Sequence, residues 1–458
     1  MDGLESELLA RMPLAQAVLL VWRYVADEKH LQAVFERYRG RCYEQTITFA
    51  VMVQLIADAL LEHGGSGNQS FSRASESGEL VATTRAAYGK LGRLPIALSV
   101  GLLAELTDRL RALFPEQARQ EPPKALGDFA VVTIDGKTIK RVAKRLKPLR
   151  DVVGGVLGGK SVVATELSTG LALAMAADLD GHANDVRLLP ELLPEVRRRV
   201  AGPRLWLADR QFCDLVQLER FAEEDDAFVV RYNAKVMFQR DTKEPVREGV
   251  DSQGRRFTDE CGWLGRDGHP KQCYVRRVTL HRKNGDDITI VTNLFGPRKF
   301  PATQLLDLYL ERWGIERMFQ KVTEVFGLER LIGSTAQATV FQFAFCLLLY
   351  NQTQLIRAYV AKHQQRKPKS ISLEQLFVDV HRELIAWTVV SSTAFTAEAF
   401  PQRTAAQTNR RLDRLLKDQW SDRWIKAVNK KPRPHRTRPT TKTHTSVYRV
   451  LRDAQSNA

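Results

Sequence analysis

Three acidic residues stand where the surrounding pattern would hold a carboxylate in place: Asp135, Asp209 and Glu316. Carboxylates on a rigid frame suit phosphodiester chemistry. Two divalent ions about 3.5–4 Å apart can activate the attacking oxygen, stabilise the pentavalent phosphorus and hold the leaving 3′-oxygen. Mg²⁺ prefers oxygen ligands and keeps several waters, so a few carboxylates suffice. Each Asp also has a plainer reading, because Asp135 precedes Gly136, a common turn pair, and an Asp at a strand end is often a cap.

The elements that must position these residues are legible as changes of hydrophobic period. Residues 129–134 form a short, apolar, β-branched run that predicts a buried strand ending in a turn at Asp135-Gly136. Residues 161–167 and 171–177 predict a hairpin joined by Ser168-Thr169-Gly170. Asn184 or Asp185 would cap a helical segment reaching about Val200, limited by Pro190 and Pro194, and residues 205–208 predict a strand closing on Asp209. Strand, hairpin, helix and strand in that order fit the front half of an RNase H-like fold, although other α/β folds begin similarly.

A helix near 214–223 precedes a stretch, 227–294, that reads mostly as strands. From Pro301 the helical period returns and persists to about Ala361, with a further helical region over 373–387. Within it, steps of three and four place Tyr309, Arg312 and Glu316 on one helix face, beside an apolar face of Leu308, Ile315, Phe319, Val322 and Phe326. Arg312 would either hold a phosphate or pair with Glu316, and the spacing favours the pair. Residues 4–63 and 85–114 predict N-terminal helices, followed by a polar linker at 117–124.

The formal net charge of +16 favours polyanions, nucleic acid above all. Residues 402–458 carry 15 Lys or Arg against 4 Asp, so much of the surplus lies near the C-terminus, either as a DNA-binding arm or as a solubilising tail. Five cysteines without paired metal spacing fit a reduced cytosolic setting and give no zinc signature. The apolar stretch 340–350 is too short to span a bilayer and predicts a buried core helix.

These residues resemble the DDE transposases of bacterial insertion sequences, specifically the insertion sequence 4 type with its Tyr-x-x-Arg-x-x-x-Glu signature. Thr133-Ile134-Asp135-Gly136-Lys137 resembles the first-aspartate motif, Leu207-Ala208-Asp209-Arg210-Gln211-Phe212 the second, and Tyr309 to Glu316 the third. Val291-Thr292-Asn293-Leu294 resembles the Thr-Asn-Leu run ahead of the glutamate helix. The resemblance implies an α/β, RNase H-like catalytic core over 125–226 and 297–361, interrupted by a β-rich insertion over 227–296. It implies an all-α N-terminal domain over 1–120 for DNA-end binding or assembly, and a helical C-terminal region with a basic tail over 362–458.

By the same resemblance, Asp135, Asp209 and Glu316 would bind two Mg²⁺ ions, with Mn²⁺ as a substitute, for strand cleavage and transfer. Tyr309, Arg312, Lys321, Lys137, Arg210 and Trp313 would contact double-stranded DNA, both transposon terminal inverted repeats and target. A homodimer on DNA, no membrane, and a bacterial cytoplasmic, nucleoid-associated setting complete the expectation. One departure stands out: the signature usually continues with Lys four and seven residues after the glutamate, where this chain has Gln320 and Thr323. That keeps two rivals open, a nuclease that cuts without joining and a catalytically inactive DNA-binding descendant.

Other motifs carry less. Residues 154–161 fit the letters of a phosphate-cradling Gly-x-x-x-x-Gly-Lys-Ser loop, but Ser161 opens a β-branched run instead of a helix. His182 reads as a turn residue, Trp313 as a core residue unless it stacks on a base, and the basic run 137–150 either faces the scissile phosphate or is a solvated loop.

Overall fold

The computed structural model describes residues 3–282, 286–390, 400–426 and 444–456. The basic run at 430–438 lies outside the described residues. The strands are β1 (Ala130–Ile139), β2 (Gly155–Leu157), β3 (Gly159–Glu166), β4 (Ala172–Asp178), β5 (Arg204–Ala208) and β6 (Ala227–Arg231). They continue as β7 (Phe238–Arg240), β8 (Arg247–Val250), β9 (Arg256–Leu264), β10 (Cys273–Leu280) and β11 (Ile288–Thr292). Ten of them form one mixed sheet in the order β4-β3-β1-β5-β6-β11-β10-β9-β7, with β8 beside β9. β1, β5 and β6 run parallel and the other pairs are antiparallel. The protein is therefore mixed α/β with a central sheet. The β-rich stretch before residue 294 extends that sheet through β11 on β6 instead of forming a sheet of its own.

Successive strand residues point to opposite faces, and the two faces are packed differently. Val132, Ile134, Trp206 and Ala208 face α8 (Leu189–Arg199) and α9 (Leu215–Phe221). Val131, Leu205 and Leu207 face α10 (Ala302–Glu311) on the other side. α11 (Trp313–Glu324) and the 28-residue α12 (Ala336–His363) cover the same side. By this alternation Asp135 and Asp209 belong to the face covered by α10 and α11.

Local chemistry fixes the ends of these elements. Asp214 accepts the amide hydrogens of Val216 and Gln217 to start α9, and Thr335 caps α12 through Ala338. Asn184 caps the turn leading into α8, as the sequence predicts. Between β11 and α10 the chain is tied down by the buried Arg276, which pairs with Asp259 at 2.8 Å and donates to the carbonyl oxygens of Leu294 and Phe300. Asn293 accepts from the Phe228 amide and donates to the Asp226 carbonyl, so the Thr-Asn-Leu run locks β11 to β6.

The N-terminal helices at Gly3–Ala10, Pro13–Val25, Glu28–Tyr38, Phe49–Leu61, Gly67–Glu76, Thr84–Leu91 and Ile96–Leu113 share one hydrophobic core with α12 and with the later helices at Leu373–Val390 and Ala405–Leu416. The boundary expected at 117–124 is thus a change of element type and not a break in packing. α12 is buried on every side, which explains why its apolar residues show no single face. Among the described residues no helix is long and apolar enough to cross a membrane.

Candidate active site

β1 does not stop at Asp135. It pairs with β5 only as far as Ile134 opposite Ala208, but it stays paired with β3 through Ile139 opposite Gly159. The turn expected at Asp135-Gly136 is therefore continuous strand, held straight by its antiparallel neighbour. Asp135 and Asp209 each follow the last residue of the parallel β1·β5 pairing, so the register sets them side by side where the sheet opens.

The third carboxylate arrives on α11. The single helix expected from 301 onward is divided at Arg312, whose amide bonds to Tyr309 O while Ile315 N bonds to Arg312 O. These are tighter three-residue steps, and they turn Arg312 inward between α10 and α11. Its guanidinium lies 3.6 Å from Asp135 Oδ2, 3.9 Å from Asp209 Oδ1 and 2.9 Å from Glu316 Oε1. One buried cation thus gathers all three predicted carboxylates. The Arg312–Glu316 pair expected from spacing forms, but Arg312 itself is only 2% exposed.

Burial pushes the Asp135 carboxyl up to about 6, against the opposing pull of the Gly136 amide and Arg312. Arg312 pays for its own burial, yet Tyr309, Asp209, Glu316 and Asp135 together hold it protonated more firmly than usual. Among the described residues, Asp209 Oδ1 is buried without a hydrogen-bond partner, as are Arg312 Nε and Nη1 and the Tyr309 hydroxyl. Such groups are costly to leave unpaired and mark a centre that another ligand would complete. Among the described residues no three His, Cys, Asp or Glu side chains are close enough to share one metal ion. Arg312 stands between the carboxylates in this arrangement. The donors are nonetheless hard oxygens, one of them an orphaned buried carboxylate oxygen, and that chemistry fits a divalent cation such as Mg²⁺.

The expected DNA-contacting residues divide into two groups. Tyr309 and Arg312 are interior, 1% and 2% exposed, because the tightened junction aims them at the sheet; as placed they present nothing to a phosphate outside. Burial also pushes the Tyr309 hydroxyl up to about 12. Trp313, read either as a core residue or as a base-stacking one, is 46% exposed beside Glu316, since the same junction turns it outward. Arg210 is exposed directly after Asp209. Lys321 is turned toward Glu374, with which it pairs. Lys137 donates to Thr323 Oγ1 at 3.0 Å and lies over the Phe319 ring, so it fills the space beside the position where the signature lysine is replaced.

Two supporting residues escaped the sequence reading. A Cβ at Gly136 would meet the Asp185 carboxylate at 2.2–2.6 Å, and Asp185 is paired with Lys160 at 2.7 Å. Glycine at 136 thus lets a buried ion pair pack against β1 next to Asp135; the only hint in the sequence was Asp185 at a predicted cap. His182 is exposed in a turn held by Asp180, as expected. Ser161 lies within β3, so the Gly-Lys-Ser run has no helix to receive a phosphate. In the basic run, Arg145 donates to the Ile332 carbonyl and Lys144 to that of Val152, while Arg141 faces Glu329.

A central sheet with two aspartates at the mouth of its parallel strands and a glutamate on a covering helix defines the class, and residues 128–352 match the family described as Transposase DDE domain. The chain belongs to the DDE transposases of insertion sequences. It is 24% identical over 347 residues to the "Probable transposase for insertion sequence element IS5377" of Geobacillus stearothermophilus, covering 73% of this chain and 85% of that protein. It is 29% identical over 150 residues to a protein of Sinorhizobium fredii (strain NBRC 101917 / NGR234) named as transposase y4zB, covering 32% of this chain and 40% of the other. A piggyBac transposase synaptic complex with hairpin DNA, solved by cryo-electron microscopy, superposes with a TM-score of 0.36 at 12% identity, over 89% of this chain and 87% of that one.

Proposed function

We propose that this transposase cleaves DNA at transposon ends and transfers the strand to target DNA, with Asp135, Asp209 and Glu316 as the ligands of two Mg²⁺ ions in an RNase H-like core. The observation that carries this reading is the convergence of those three carboxylates on one buried guanidinium, from β1, from the end of β5 and from α11. When bound, the ions would supply Lewis-acid stabilisation of the phosphoryl oxygens and a more acidic attacking hydroxyl.

The chain's own residues do the positioning. β1 and β5 fix Asp135 and Asp209 through backbone pairing, and α11 presents Glu316 from the partly open side, where its side chain is 53% exposed. Arg312 holds the carboxylates together against their mutual repulsion before metal arrives, and Tyr309 packs under it. Arg210, Trp313 and Lys137 would meet DNA around this opening and Lys321 on the neighbouring flank of α11, Trp313 by stacking and the cations by phosphate contact. Because Lys137 fills the place beside Thr323, it would provide the positive charge that the signature's second lysine would bring. Assembly of two copies on paired terminal repeats belongs to the same proposal.

The test is a joining assay with Mg²⁺, duplex carrying the element's own pre-cut end, and a supercoiled target plasmid. Joined product from the wild type, absent from Asp135→Asn, Asp209→Asn and Glu316→Gln at unchanged DNA affinity, supports the reading. Cleavage without joining would point to a nuclease, and DNA binding without either would point to an inactive descendant.

A further inference from the structure

A cavity of about 1180 Å³ lies on the other flank of α11 from the exposed side of Glu316, between the β3–β4 turn, α12 and the turn at Pro368–Ser370. Its walls carry seven basic side chains and four carboxylates. Two of those carboxylates, Glu374 and Glu311, are paired with Lys321 and Lys369, and Glu166 is paired with Arg111 outside the wall. Arg119 is paired with Glu116, Glu121 is the remaining wall carboxylate, and Arg317, Arg357, Lys367 and Lys426 face the space with no carboxylate partner among the described residues. Among the described residues, buried Arg357 Nε has no hydrogen-bond partner, and neither has Gln354 Oε1 one turn earlier on α12. Burial lowers the affinity of Lys426 for its proton, and the like charges of Arg317, Arg357, Lys321 and Lys369 lower it further.

Shape narrows the ligand. A duplex about 20 Å across cannot enter a space of this volume, whereas a few nucleotides of one strand can, and pockets of about 300–1,000 Å³ already hold small ligands. Arg317 and Gln320 also border the smaller hollow of about 410 Å³ that contains Glu316 and Trp313, so the two spaces are neighbours on α11 with those two side chains between them. We propose that this cavity is a second DNA site, which takes the phosphates of a single strand running from the carboxylate centre around α11 toward Arg357 and Lys426. This rests on the catalytic reading above for where the strand begins.

Fluorescence anisotropy with a labelled ten-residue oligodeoxythymidylate, in EDTA and across a salt series, tests it without requiring catalysis. Lys367→Gln/Lys426→Gln removes two exposed, unpaired charges from the wall. The expected result is roughly tenfold weaker strand binding at low salt and a salt slope smaller by about 1.4, at about 0.7 per phosphate contact on a single strand. Binding of a 20-base-pair duplex should change by less than about twofold, and ATP should not displace the strand at equal phosphate concentration. An unchanged strand slope in a folded variant, equal losses for strand and duplex, or displacement by ATP overturns the inference. If the wild type binds duplex but not strand, this inference alone fails. If it binds neither, the reading of the chain as a DNA-processing enzyme fails with it.

Discussion

Replacing Arg312 with Gln removes the positive charge that lies within 4 Å of all three carboxylates. Unit charges about 4 Å apart attract by about 4 kcal/mol at an effective dielectric of 20, so contacts of 2.9, 3.6 and 3.9 Å form a large gross attraction. Desolvation of the buried guanidinium cancels much of it. Glu316 and Asp209, with side chains 53% and 29% exposed, can recover water, whereas Asp135 at 14% cannot. Removing one partner of a buried pair costs about 3–5 kcal/mol, and the partial exposure here places the expected loss near the lower end, about 3 kcal/mol at pH 8. Urea denaturation followed by circular dichroism would read it. The loss should shrink at pH 5, because Asp135, already held up to about 6, is then largely protonated and needs no counter-charge. Millimolar Mg²⁺ should also recover more stability in Arg312→Gln than in the wild type, since a ligand that binds only the folded state stabilises it. A loss of the same size at pH 8 and pH 5, untouched by Mg²⁺, would show that Arg312 acts by packing and would refute this reasoning.

Other consequences are checked separately. Glu62 is raised by burial to about 7 from 4.5 despite its pair with Arg73, so its protonated form favours folding. That stability is full below about pH 4.5 and is lost as pH rises through 7, to a limit of about 3 kcal/mol. Glu62→Gln should therefore flatten the pH dependence of the melting temperature and raise it at pH 8. Gly136→Ala should destabilise by about 2 kcal/mol by driving a methyl group into the Asp185 carboxylate, and Gly136→Ala/Asp185→Ala should recover part of the loss in urea titrations. Trp313→Ala should leave stability within about 0.5 kcal/mol, as for an exposed side chain, while weakening binding of DNA with an unpaired end by about 1–3 kcal/mol per lost stack.

Much of the frame was legible from hydrophobic period. The hairpin of β3 and β4, the strand before Asp209 and the extended stretch before residue 294 follow from short apolar runs bounded by turn residues, which depend on burial and little else. The course of β1 past Asp135 was not legible, because Gly136-Lys137-Thr138 has the look of a turn and is kept extended only by pairing with β3. The division at Arg312 was equally hidden: three-residue and four-residue helical steps use the same residue types. It nonetheless decides that Arg312 points in and Trp313 out. The helix at Gly67–Glu76 was missed because it is polar and starts at a Ser66 cap, with only Phe71 and Ala74 as large or apolar buried anchors. Asp185 beside Gly136 could be found only in three dimensions, since 49 residues separate them.

The claim that Asp135, Asp209 and Glu316 act as one metal centre is tested most directly by Mn²⁺ titration of the full chain, followed by electron paramagnetic resonance. The wild type should bind Mn²⁺ in competition with Mg²⁺, and Asp135→Asn, Asp209→Asn and Glu316→Gln should each weaken that binding at least tenfold while keeping the wild-type circular dichroism spectrum. Mn²⁺ binding of wild-type strength in all three variants would contradict it.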